Sequence, residues 1–188
     1  MTLTPADQKH IENILNFWFE VISPEQWFTK SAEFDQQLRE AFEPLVIQAL
    51  NGQLDRWAGD SNGCLALILL LDQITRNIYR DTPKAFAGDE IACALSLRAA
   101  ADKTIERQES EAKRQFFLMP MMHSEDITIQ ENSLPLFKKH TAERTYDYAI
   151  RHHDIVARFG RFPHRNAILG RPSTDEEKEF LAGPNSSF

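Results

Sequence analysis

The chain has 188 residues, of which 42% are hydrophobic and 26% charged, and its formal net charge is −7. That length suits one well-buried core and is short for two domains. The acidity excludes a general nucleic-acid binder, which needs a surplus of Lys and Arg to neutralise phosphates.

Nearly every segment reads as helix. Thr4 is an N-cap with Pro5 at the first helical position, opening a helix through Ile11, Ile14, Leu15, Trp18 and Phe19 that stops before Ser23-Pro24. Ser31 caps a second helix carrying Phe34, Leu38, Phe42, Leu45 and Ala49; Pro44 is expected to kink or split it, and Asn51-Gly52 to end it. The apolar run from Cys64 to Leu71 continues with helical spacing to Arg80 and is read as the central buried helix, with Cys64 and Cys93 as small core residues. After Thr82-Pro83, a helix spans Ile91 to Ala101. The next is expected to end at Pro120, and another to begin near Ser124 with Glu125 and Asp126 in its first turn. The segment from Glu143 to Phe159 carries Tyr146, Ile150, His153 and Ala157 on one stripe, and Gly160 stops it. Ser173 and Thr174, followed by Glu176 and Glu177, form a capping box for a last short helix.

No segment alternates with period two, so the class is all-α with about eight helices. One domain is expected over residues 4–183, with 184–188 as a disordered tail. The N-terminus has neither a basic region nor an apolar run, so no signal peptide is expected. The longest apolar run is too short to span a bilayer. A cytoplasmic location, with no membrane partner, follows from both.

Three polar constellations interrupt this pattern. Asp72, Arg76 and Arg80 lie four apart on one helix face, with Gln73 and Asn77 on the neighbouring face. Such groups at the end of an apolar helix are partly buried and need partners. They form either an internal Asp72–Arg76 pair or a wall of donors facing a cavity. The segment Met121-Met122-His123-Ser124-Glu125-Asp126 sets His123 and Glu125 beside a helix start, as an acid–base pair, or else Ser124 caps the helix and His123 bonds a backbone carbonyl. The third runs from Arg151 to Arg171, with five arginines against the single acid Asp154 and with His152, His153 and His164. Gly160 and Pro163 shape a loop that presents Arg161, His164, Arg165 and Asn166, with His153, Arg158 and Arg171 flanking it. Arginine forks bind carboxylate or phosphate, and histidine exchanges protons near neutral pH. The same residues also suit a structural clamp against acidic helices.

No pair among His123, Glu125, His152, His153 and His164 has helical metal-ligand spacing, so no metal site is expected, and no cofactor is specified. A nucleophile elbow, a phosphate-binding glycine loop and a zinc ribbon are all missing from the sequence.

These segments together resemble a bacterial family, domain of unknown function 924. The resemblance rests on Phe17-Trp18-Phe19, Trp27-Phe28, Leu69 to Gln73 with Arg76-Asn77, and Pro120 to Asp126. It continues through His153, Arg158 to Asn166, Leu169-Gly170-Arg171, Ser173-Thr174 and Glu177. It implies a tetratricopeptide-like α-superhelix and brings no established substrate. One departure is local: Ile74-Thr75 stands where the family pattern leads one to expect Phe-Pro.

The leading functional expectation is a site for a small anionic ligand, with enzyme activity left open. Arg76, Arg161 and Arg165 would hold the anion, His164 and His123 would exchange protons, and Asp72 and Glu125 would orient them. The alternative is a helical scaffold that binds a peptide or partner protein, displaying Trp27 or Phe28 in a groove while the polar motifs stay structural.

Overall fold

Thr4 opens the first helix as its sequence predicts: its hydroxyl accepts from the Asp7 amide while the Asp7 carboxylate accepts from the Thr4 amide. The computed structural model describes residues 2–184 and 186, and those residues contain helices and turns without a strand. The expected tail falls partly on residues 185, 187 and 188, outside the described residues.

Helix α1 (Pro5–Asn16) runs on as a π-helical stretch, Phe17–Val21. Helix α2 is Ala32–Leu50, capped by the Ser31 hydroxyl. It passes through Pro44 unbroken, contrary to the expected split. Pro44 lies on the exposed face, where water can take up the carbonyl its ring leaves unbonded.

The central helix α3 occupies residues 61–78 in three successive pieces: an α-helical start Ser61–Ile68, a π-helical stretch Leu69–Ile74 and a last turn Thr75–Ile78. Its residues from Gly63 to Thr75 are all buried. Helix α4 (Asp89–Ala101) starts earlier than the sequence indicated. Helix α5 (Glu111–Met122) continues past Pro120 rather than ending there, because Phe116, Phe117, Leu118, Met119, Met121 and Met122 all pack into the core. Helix α6 (Ile127–His140) is capped by the Asp126 carboxylate, which leaves Glu125 just outside the first turn where it had been expected. Helix α7 (Glu143–Phe159) ends at Gly160, whose φ of +68° a side-chain-bearing residue rarely adopts. Helix α8 (Asp175–Leu181) carries the expected capping box between Thr174 and Glu177.

The main core gathers α1 to α7 around α3, with Trp18, Trp57, Phe116, Phe117 and Phe137 fully buried. A smaller cluster of Ile155, Val156 and Phe162, joined by Ile127, Phe159 and Phe180, seats the chain after α7. Helix α3 therefore meets the α5–α6 turn and the loop after α7 at one end of the molecule. No described helix is long and apolar enough to cross a membrane.

Candidate functional site

The site begins where α3 changes its winding. In its π-helical stretch Thr75 N–H reaches back five residues to Leu70 O, and the Thr75 hydroxyl donates to Leu71 O at 2.7 Å. Such local unwinding is frequent at functional sites because it re-aims side chains out of the regular register. Asp72 and Gln73 lie within this stretch.

Asp72 is fully buried. Its Oδ1 accepts from His123 Nδ1 at 2.7 Å and from Arg76 Nη2 at 3.3 Å, and its Oδ2 accepts from Gln73 Nε2. A carboxylate only accepts, so His123 carries a proton on Nδ1, and in the neutral ring the lone pair is on Nε2. Burial alone would raise the Asp72 carboxyl. The interactions with His123, then the charge of Arg76 and the Gln73 hydrogen bond, outweigh it and hold the group well below the usual carboxylate range.

The contacts close into a circuit that joins all three sequence constellations. Arg76 Nη2 also donates to Asp89 Oδ1 at 2.9 Å, Arg165 Nη1 donates to Asp89 Oδ2 at 3.1 Å, and Arg165 Nη2 donates to His123 O at 3.0 Å. The Arg165 guanidinium sits between the rings of Phe86 and Phe162, 4.8 and 4.5 Å from their centroids. Phe86 also lies beneath Arg76. Burial, followed by the charge of Arg76, brings Arg165 down to about 10, still cationic at neutral pH. Burial pushes the Asp89 carboxyl up, against the pull of Arg76 and Arg165.

Asp89 reaches the circuit because Gly88 lets the start of α4 touch α3: a Cβ at Gly88 would stand 2.3 Å from Leu71 O. Two further imidazoles border the circuit. His152 donates from Nδ1 to Tyr148 O at 2.7 Å, and its ring centroid is 6.0 Å from that of His123. Burial, with the nearby His123, holds His152 well below the ordinary histidine value. Burial, then the charges of Arg165 and Arg76, lowers His164 to about 4. Both rings are therefore neutral at pH 7.

The circuit is open on one side. Side chains of His123, Arg76 and Asp89 retain 13%, 22% and 17% exposure, while Asp72 retains none. His123 Nε2 and Arg76 Nη1 have no hydrogen-bond partner among the described residues and are not buried. The Nε–H groups of Arg76 and Arg165 are buried without a partner. Donors thus outnumber acceptors here.

The other predicted residues do different work. Glu125 accepts from Phe162 N–H at 2.7 Å and from the two ends of the Arg171 fork at 2.7 and 2.9 Å. Burial would raise Glu125, but Arg171 and the Phe162 amide outweigh it and lower the group. Arg161 grips Glu177 at 2.6 and 2.8 Å and holds that carboxyl down to about 2. Asn166 bridges Arg171, Ser173 and Glu177, while Arg158 pairs with Glu176 on the surface. These contacts fasten the loop after α7 and helix α8 to the rest of the fold. Asn77 joins Arg80, itself on Asp35, away from His123. His153 faces Asp154 on the outer side of α7. The buried stripe of that helix is Ala149, His152, Ile155 and Val156, out of phase with the expected one. Among the described residues no group of three or more His, Cys, Asp or Glu could hold a metal ion.

A family model described as bacterial protein of unknown function (DUF924) matches residues 14–185. The chain belongs to this family. It is similar to a solved structure of a protein of unknown function from Agrobacterium tumefaciens, with 37% identity over 93% of this chain and 97% of that one and a TM-score of 0.87. No curated protein matches the chain. In this DUF924 chain Thr75 supplies the backbone N–H that closes the π-helical stretch on Leu70 O, a donor that a proline would lack.

Sequence reasoning missed Asp89 and Phe86. The pair Gly88-Asp89 did carry a signal, a small residue before an acid at a helix start, but nothing local tied it to Arg76 or Arg165. His152 was named but passed over for its neighbour His153, which fitted the expected stripe.

Proposed function

We propose that the protein binds a small anionic ligand at His123 and Arg76 and exchanges a proton with it. One observation carries this reading: the same oxygen of buried Asp72 holds an imidazole and a guanidinium, whose Nε2 and Nη1 atoms remain unbonded at the solvent-facing side. A proton-transfer group with a fixed tautomer then stands beside a permanent cation, the pairing that general acid–base chemistry on an anionic substrate requires. Replacing a buried ion network by apolar residues is often neutral or stabilising, so packing alone gives little reason for this one. Arg161, Arg171, Glu125 and Asn166 support the site by holding its loop, and His164 borders it as a neutral imidazole.

The rival role as a docking scaffold has less support. Trp27 is tucked in, its Nε1 donating to Trp18 O at 2.8 Å and its ring 5.0 Å from that of Phe116, while Phe28 is exposed.

The test is a thermal-shift screen of wild-type protein and His123→Gln against small carboxylates, phosphates and sulfate. A ligand at a hundred times its Kd adds about 2.7 kcal/mol, or roughly 5–10 °C for a chain of this size. Stabilisation of the wild type that His123→Gln loses supports the site. A wild type that responds to nothing, or a variant that responds equally, contradicts it.

A further inference from the structure

The ligand class can be narrowed from the charges and donors already in place, and this step rests on the proposed site. Around His123 the acids are Asp72 from α3, Asp89 from α4 and Glu125 before α6. The cations are Arg76 from α3, with Arg165 and Arg171 from the loop after α7. They pair off, and His152 and His164 are neutral. With His123 neutral these charges cancel, and one proton on its Nε2 adds a single positive charge to the circuit. A monoanion restores neutrality. A dianion leaves an uncompensated negative charge beside buried Asp72, which low-dielectric surroundings penalise.

The donor geometry points the same way. Arg76 has committed Nη2 to Asp72 and Asp89, and its Nε is buried, so it offers a ligand only Nη1. Arg165 spends both terminal nitrogens on Asp89 and His123 O. A ligand meets two accessible donors, Arg76 Nη1 and His123 Nε2–H. Two donors match the two oxygens of a carboxylate, whereas phosphate presents more oxygens than this rim serves.

We propose that the site takes a small monocarboxylate together with one proton, one carboxylate oxygen accepting from Arg76 Nη1 and the other from protonated His123 Nε2. The proton comes from solvent on binding and returns on release, so no redox partner or leaving group is needed.

Long-range ¹H–¹⁵N spectra of the full chain with ¹⁵N-labelled histidine test this at pH 7, with His123→Gln assigning the resonance. Acetate is titrated in one series and inorganic phosphate and sulfate in two others. Saturable movement of His123 Nε2 towards the protonated range with acetate, at least tenfold stronger than with either inorganic anion, is the expected result. An Arg76→Gln protein that remains folded should lose at least tenfold in acetate affinity. Phosphate or sulfate matching acetate overturns the monocarboxylate assignment while the anion site stands. If none of the three probes moves His123, the assignment and the site reading both fall.

Discussion

Asp72 is the residue on which the local chemistry turns. A carboxylate in the middle of an apolar helix is tolerable only because His123, Arg76 and Gln73 all donate to it. Asp72→Asn keeps the shape but removes the charge that the Arg76 cation and the His123 Nδ1–H face. Unfolding in urea should show a loss of about 3–5 kcal/mol, the usual result of breaking a buried pair by removing one partner. A variant as stable as wild type would contradict the network. His164 gives a second prediction, in pH. Its folded value is about 4, below the roughly 6.5 of an unfolded histidine. The unfolded chain then binds the extra proton between those values, so its contribution to stability is complete above pH 6.5 and is lost as pH falls towards 4. His152 is shifted in the same direction. Denaturation measured from pH 7 to 4.5 should show a decline of about 2–3 kcal/mol that His164→Phe reduces. A flat profile over that range would show that His164 is not held neutral by burial.

At the scale of elements, the close approach of α4 to α3 decides whether a site exists at all. Gly88→Ala would force a Cβ against Leu71 O, since the contact distance is 2.3 Å. The expected outcome is a destabilisation of about 2 kcal/mol or more in chemical denaturation, because backbone on both sides must shift. Arg165 would lose its carboxylate partner with it. Wild-type stability in this variant would mean that α4 does not depend on the approach. Three helix starts were legible because their caps are chemical: Thr4, Ser31 and Thr174 cap as their sequences indicate, whereas α4 starts after Gly88 with no side-chain cap to announce it. Helix stops at proline were not. Pro44 and Pro120 are carried through because water or core packing compensates locally, and neither effect is visible in a window of residues. The phase of α7 was missed because its inward stripe is built from Ala149 and His152, one small and one polar, rather than from large apolar residues.

For the whole molecule, the all-helical class followed from an apolar run too long for a strand and continued at helical spacing from Cys64 to Arg80. The convergence of the polar motifs did not follow, because it depends on α3, the α5–α6 turn and the loop after α7 meeting at one end of the core. The basic island changes meaning in the fold. Asp89, Glu125, Glu176 and Glu177 come from other parts of the chain to meet Arg165, Arg171, Arg158 and Arg161. The structural-clamp alternative accounts for most of these arginines, and the proposed ligand-facing chemistry contracts to His123 and Arg76. The most direct test of that claim is a crystal structure of the protein soaked in whichever small anion stabilises it most in the thermal screen. Density for the anion within hydrogen-bonding distance of His123 Nε2 and Arg76 Nη1 is the predicted result. Density on the outer arginines, with the His123 side unoccupied, would contradict it.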